Sequence, residues 1–402
     1  MAASPAKRLM TFGMVILREA VGVYWTLIKI MLPVMVLTQL AIEMGLIKAI
    51  SPAFAPVMQF VGLPPEAGFV WAMNLLVGIW SGAVVMFAVL PVDTLTTAQV
   101  TILGSLFLFA HALPIEQRIV QKAGLRLIVS TLIRLGGGLF FAWGINLIFS
   151  RTGWLTEPAA PNWVPGHYDA SWTSFVADTA STLVWIFIVL LGLVAVLRTM
   201  DALDVTRFLN LLLSPLLRLL GIAKDAAPLT VVGLVLGLSY GGGLIIREAQ
   251  RGHIQPRDVF LASSFMGLCH SLIEDTLIVM ALGADIYVVL FGRLIFSVLL
   301  VAVLARLLRG TGDAFFFRFL YRDRMHGKSR CNTGRRQSAH WIRRRRFRKL
   351  QFAQKNPPRE GVGDPQINGW KQPRGSASMK TNNQNSILRL NGVLICSCYQ
   401  YG

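Results

Sequence analysis

The chain is poor in charge. Only 15% of its 402 residues are Asp, Glu, Lys or Arg, where soluble globular proteins carry roughly 25%. That shortfall excludes an ordinary water-soluble enzyme, and the 54% apolar content excludes a disordered polymer. Cysteine is scarce too. Cys269, Cys331, Cys396 and Cys398 are the four, and no pair has C-x-x-C spacing. Neither a disulfide framework nor a paired-cysteine zinc site is implied. H-E-x-x-H, a Walker A loop and a Ser/His/Asp arrangement are all missing. No catalytic residue, metal or cofactor is assigned, and the chain is not expected to be an enzyme. An intramembrane hydrolase would rest on His and Glu alone. A convincing signal peptide is missing as well: Lys7 and Arg8 precede apolar Leu9 to Leu17, which Arg18 and Glu19 end without a small-residue cleavage site.

What is present is long apolar runs. Mean hydropathy is +0.56. This is the pattern of an all-α, polytopic membrane protein, with the lipid bilayer as its first partner. Eight segments read as membrane helices: Val21–Ile42, Gly68–Val89, Val100–Leu113, Leu125–Phe149, Phe175–Leu197, Leu229–Ile246, Val259–Leu282 and Ile286–Leu308. Leu46–Val61 and Val205–Leu220 are amphipathic and carry Pro52, Pro56 and Pro215. They are expected to be interfacial helices. Residues 1–20 form a cytoplasmic N-terminus, 21–150 and 174–310 the two halves of the body, and 151–173 an external loop. That loop holds Trp154, Trp163 and Trp172, which suit a membrane–water interface, and its acids Glu157 and Asp169 outnumber Arg151.

The two halves repeat each other. Shifted by 159 residues, Pro56–Leu135 matches the second half without a gap at 16 of 80 positions. The residue types carry the match: Pro56/Pro215, Gly62/Gly221, Gly78/Gly237, Gly82/Gly241, His111/His270, Gly124/Gly283 and Arg134/Arg293. Charges differ between equivalent loops. Glu43 to Val100 holds one basic residue, Lys48, whereas Arg198 to Asp258 holds seven, Arg218 and Arg251 among them. Arg118, Lys122 and Arg126 have Leu277, Ala281 and Asp285 as counterparts. The positive-inside rule then places equivalent loops on opposite faces, with Lys48 and Asp93 outside and Arg218 and Arg251 inside. This is an inverted-topology repeat of the kind found in secondary transporters. Inversion needs an odd number of crossings per half. The glycine-broken segments Gly68–Val89 and Leu229–Ile246 therefore either fold back as re-entrant hairpins or cross as closely packed helices.

Two groups of residues stand out for chemistry. The run Cys269-His270-Ser271-Leu272-Ile273-Glu274-Asp275 puts titratable groups inside an apolar segment, where one acid costs roughly 2.5–3.5 kcal/mol at mid-span. His270 and Glu274 are expected on one helical face, with Asp275 turned away. His111 and Glu116 are the repeat-related pair in the first half. A headgroup location is the alternative for both clusters. The second group surrounds the glycine breaks: Asn74, Ser81, Gly82, Ser239, Tyr240, Gly241 and Gly242. Half-helix ends there can hold a polar solute or ion with backbone groups. Arg134 and Arg293, both inside apolar segments, are expected to pair structurally, with the acids or across helices.

Two copies of a glycine-broken segment, each followed by a span carrying His and acid, resemble the nucleoside-recognition or Gate domain family. The stretches are LVLGLSYGGGLIIREAQRG with FMGLCHSLIEDTLIVMALGAD, and the more degenerate LLVGIWSGAVVM with FLFAHALPIEQ. The family includes spore-maturation membrane proteins, and similar gate modules occur in ferrous-iron permeases and concentrative nucleoside transporters. The resemblance covers Val21 to Leu308. It implies a transporter or permease of a small polar solute or ion, nucleosides being the class in the family's name, in the inner (cytoplasmic) membrane. The alternative is a non-transporting membrane protein that recognises a ligand or assembles with a partner protein. Self-association into a homo-oligomer stays open.

Residues 311–402 carry 19 basic against 4 acidic residues, leaving 20 and 16 for the body. Arg343–Arg346 form a run, and no apolar periodicity follows. The segment is read as a basic disordered tail that is either lipid-binding, merely solvated, or an out-of-frame terminus. Nucleic acid is not an expected partner, because no folded reader or aromatic platform accompanies the arginines. Ending the chain after Gly310 is expected to leave membrane insertion intact.

Overall fold

The computed structural model describes residues 5–91, 94–161, 172–222, 226–251 and 254–322. A few helical side chains, including those of Arg218, Ser239 and Tyr240, lie outside the described residues, as do Gly241 and Asp93. The first half runs α1 (Pro5–Glu43), α2 (Leu46–Phe60), α3 (Ala67–Leu76), α4 (Ile79–Val89), α5 (Thr97–Phe109), α6 (Leu113–Ala123) and α7 (Leu127–Thr152). The second runs α8 (Trp172–Ala202), α9 (Val205–Leu219), α10 (Ala227–Leu236), α11 (Leu238–Arg251), α12 (Pro256–Cys269), α13 (Glu274–Ala281), a π-helical turn over Tyr287–Gly292 and α14 (Arg293–Gly310). No strand occurs among the described residues, only isolated bridges such as Thr96 with Pro158.

The backbone repeats with the sequence. α2 and α9 begin and end on residues 159 apart, and α5 and α12 begin on such a pair, Thr97 and Pro256. Left-handed residues recur at the same offset: Gly45/Asp204, Gly62/Gly221, Gly78/Gly237, Ala112/Ser271 and Gly124/Gly283. Gly78 (φ 136°) and Gly237 (φ 91°) turn α3 into α4 and α10 into α11, which side chains with a Cβ resist. Helix starts are made by local chemistry. Thr96 opens α5 with a reciprocal cap, its Oγ1 accepting from Gln99 N at 3.2 Å and its own N donating to Gln99 Oε1 at 3.1 Å. Pro256 opens α12, where a missing N–H costs nothing.

The glycine-broken segments are hairpins of short arms. α3 has 10 residues and α4 has 11, about 15 Å each at 1.5 Å per residue, against a hydrocarbon core of about 30 Å. The arms lie side by side, and a Cβ on Gly82 would meet Asn74 Cβ at 2.7 Å. Among the described residues five segments are long and apolar enough to cross a bilayer: 10–43, 127–152, 174–200, 256–281 and 287–310. α5 and α6, bent by 41° at their junction, make a sixth if the pair is one broken span rather than a re-entrant loop.

α1 and α8 run antiparallel. Glu19 pairs with Arg198 near the end of α8, while Tyr24, farther along α1, donates to Leu183 O at 2.8 Å and packs on Phe187. Tyr24 and Leu183 are 159 apart, so a residue meets its own counterpart. Large apolar side chains stay exposed around the body, among them Trp25, Leu37, Ile128, Phe140, Val176 and Leu299. A lipid solvent suits that surface.

Two differences from the sequence reading follow. The segments Val100–Leu113 and Val259–Leu282 are not continuous helices; each breaks around its histidine. The ordered body also continues past Gly310. Helical turns over 313–320 seat Phe316 and Tyr321 in the interior. Tyr321 Oη donates to Ala123 O at 2.8 Å, Arg126 N to Leu320 O at 3.0 Å and Arg322 N to Gly124 O at 2.7 Å. Five aromatics between Phe315 and Tyr321 supply the apolar surface that anchors this stretch. The remainder of the tail, from residue 323, lies outside the described residues, as do 162–171 of the external loop.

Candidate functional site

The helix breaks bring the titratable residues together. α5 ends at Phe109 and α6 begins at Leu113, with Pro114 in its first turn. α12 ends at Cys269 and α13 begins at Glu274. A broken helix strands carbonyls at its end, and here two arginines cap them. Arg134 Nε donates to Phe109 O, and Arg293 Nε to Leu268 O, both at 3.0 Å and again 159 residues apart. Arg293 Nη2 also reaches Leu108 O at 2.8 Å and His270 O at 3.0 Å. Asn74 clamps the first break, its Nδ2 donating to Ala110 O at 2.8 Å while its own carbonyl accepts from Ala112 N at 3.1 Å. Leu272 N donates to Leu234 O at 2.8 Å across the second.

Both histidines are buried at the seam of the halves. His111 Nδ1 lies 3.0 Å from Phe107 O and His270 Nδ1 2.9 Å from Met266 O. A carbonyl oxygen only accepts, so each Nδ1 carries the hydrogen and each Nε2 turns its other side inward. The two Nε2 atoms are 3.1 Å apart. Glu116 Oε1 lies 3.0 Å from His270 Nε2 and 3.2 Å from His111 Nε2. Asp275 Oδ2 lies 3.4 Å from His111 Nε2. Arg134 Nη1 meets the far oxygen of Glu116 at 2.6 Å. His270, Arg134 and Arg293 are at most 1% exposed, and His111, Glu116 and Asp275 at most 8%.

The structure thus brings together His111, His270, Glu116, Asp275, Arg134 and Arg293. Glu274 is not among them and is half-buried. The reason is the break: His270 is extended (φ −78°, ψ 167°) and Ser271 left-handed, so helical spacing does not run from His270 into α13. Asp275, the counterpart of Glu116, takes the inward position instead. His111 and Glu116 are buried within the protein.

The hairpin tips reach the same place. A Cβ on Gly78 would meet Ala112 Cβ at 3.8 Å, and one on Gly237 would meet Ser271 Oγ at 4.0 Å. Each tip therefore faces the break of its own half. Ser81 and Gly82 are buried within α4, and a Cβ on Gly242 would meet Ile119 Cγ2 of α6 at 2.5 Å. Asn74 Oδ1, the Gln117 amide and the hydroxyls of Ser263, Ser264 and Thr276 are buried without a hydrogen-bond partner. Sequence reasoning missed Gln117, Ser263, Ser264 and Thr276. Their signal was polarity within apolar runs, which is weak for small hydroxyls.

Spans of this length around broken helices define an integral, multi-pass, all-α membrane protein. No family model and no solved structure matches the chain. A Bacillus subtilis (strain 168) protein described as the uncharacterized membrane protein YvoD is 30% identical over 295 residues, covering 70% of this chain and 90% of that one. The chain belongs to the family of membrane proteins that includes YvoD.

Proposed function

We propose that the chain is a transporter or permease of a small polar solute in the inner membrane, built from two inverted Gate-like repeats. The observation that carries this reading is the meeting of hairpin tips and helix breaks beside the buried His111, His270, Glu116 and Asp275. A chain at the membrane gains nothing from such groups unless they line a path or hold a ligand. The antiparallel contact of α1 and α8 supports inversion, because two spanning helices that run oppositely enter from opposite faces. The nucleoside class comes from the Gate resemblance alone. No residue is assigned a catalytic role.

The test is uptake into sealed proteoliposomes carrying the purified chain, with nucleosides first and other small polar solutes after them. Asp275→Asn should insert normally and lower uptake roughly tenfold or more, since a charged contact is worth about 1.5–3 kcal/mol and each 1.36 kcal/mol is tenfold. Glu274→Gln should lower uptake less than Asp275→Asn, about twofold, because Glu274 is half-buried and makes no ion pair or hydrogen bond with the histidines. Equal effects of the two would contradict the assignment of Asp275. No uptake of any solute would favour the non-transporting reading, in which the same cluster only recognises a ligand or steadies a partner.

A further inference from the structure

We propose that His111, His270, Glu116 and Asp275 bind one divalent transition-metal cation of the zinc class at the seam between the two halves. This inference does not rest on transport, and its readout is binding alone.

Four atoms able to ligate a cation converge: Nε2 of His111 and of His270, Glu116 Oε1 and Asp275 Oδ2. Each imidazole has its Nδ1–H committed to a backbone carbonyl, at 3.0 Å for His111 and 2.9 Å for His270. In the neutral rings each Nε2 then offers its lone pair inward, toward the other at 3.1 Å and toward Glu116 Oε1 at 3.2 and 3.0 Å. Asp275 Oδ2 is buried, 3.4 Å from His111 Nε2, and has no hydrogen-bond partner. Lone pairs and carboxylate oxygens at such separations repel unless a cation sits among them.

The spacings match a particular cation. Ligand bonds of about 2.0–2.1 Å in tetrahedral geometry place neighbouring ligand atoms about 3.3 Å apart. Of the six separations that four ligand atoms define, the four given above span 3.0–3.4 Å. His111, His270 and Asp275 each present a ligand atom within 4.8 Å of the other two. Paired imidazoles with carboxylates suit zinc and its neighbours rather than magnesium or calcium, which prefer oxygen alone.

The surrounding contacts are those that orient metal ligands. A ligating histidine usually donates its other N–H to a backbone carbonyl or a carboxylate, and here both do. Arg134 holds the far oxygen of Glu116 at 2.6 Å and leaves Oε1 turned to the histidines. Arg293 fixes the His270 carbonyl at 3.0 Å. Because two helices come from each half, a bound cation ties the halves together. The competing occupant is a proton shared by the histidines and Glu116.

The experiment uses the full chain in detergent, stripped with chelator and titrated with Co²⁺ as a visible probe. The wild type should take up one equivalent more than His270→Gln. That equivalent should give the intense d–d bands of a tetrahedral site without thiolate charge transfer, which separates it from Cys331, Cys396 and Cys398. Zn²⁺ should displace it. Asp275→Asn, which keeps the histidines, should weaken binding by at least the roughly 10–100-fold seen for the outer partners of metal ligands. Zn²⁺ should also raise the melting temperature of the wild type and much less that of Asp275→Asn. The second readout decides the matter if His270→Gln does not fold. Equal Co²⁺ uptake by wild type and His270→Gln, or no Zn²⁺-dependent shift in the wild type, overturns the proposal and leaves the proton as occupant.

Discussion

Arg134→Ala should be the most damaging single substitution in the body. Arg134 is 1% exposed and meets Glu116 at 2.6 Å while capping Phe109 O at 3.0 Å. Removing it leaves a buried carboxylate without its cation and an orphan carbonyl at the end of α5. Breaking one partner of a buried ion pair costs about 3–5 kcal/mol, a large share of the roughly 5–15 kcal/mol that holds a typical protein together. We expect little folded protein, or a melting temperature far below wild type in the same detergent. Arg134→Met combined with Glu116→Leu should recover part of the loss, since no unpaired charge remains. Melting of Arg134→Ala close to wild type would show that Glu116 is satisfied from elsewhere.

Truncation separates the two parts of the C-terminal region. A chain ending after Gly310 loses Phe316 and Tyr321, both buried, and the hydrogen bond from Tyr321 Oη to Ala123 O. It also strips Arg257 of Asp313, which it contacts at 2.9 Å, and of the ring of Phe316. Burial of two aromatics is worth about 3–6 kcal/mol at roughly 1.5–3 kcal/mol each. Insertion should still occur, because all the spans remain, but the truncated protein should melt markedly lower. A chain ending after Arg322 should melt like the full-length protein. Equal melting of both truncations would mean that the aromatic stretch contributes nothing.

Much of the architecture could be read before the structure. The amphipathic stretches Leu46–Val61 and Val205–Leu220 correspond to α2 and α9 within one residue at the end. The glycines at 78 and 237 marked the hairpin turns because only a positive φ makes the turn, and that demand shows in residue type. The helix breaks did not show. His270 to Ile273 contains neither Gly nor Pro, and its backbone is held open by tertiary contacts from Arg293 and Leu234. Pro114 was the only local sign in the first half. Missing the breaks put Glu274 beside His270 by helical spacing, when Asp275 holds the inward position. The repeat already pointed to Asp275, which aligns with Glu116 at the 159-residue offset. The aromatic run from Phe315 was masked by the arginines around it, which made the whole segment look like tail.

Opposed orientation of the two halves is the central claim of the proposed function. Lys48 and Arg207 are exposed repeat counterparts on α2 and α9. With the four native cysteines replaced by Ser, Lys48→Cys and Arg207→Cys can each be labelled by a membrane-impermeant maleimide in intact cells and again after permeabilisation. Position 48 should react in intact cells, and position 207 only once the membrane is opened. Labelling of both from the same side would make the halves parallel and contradict the account.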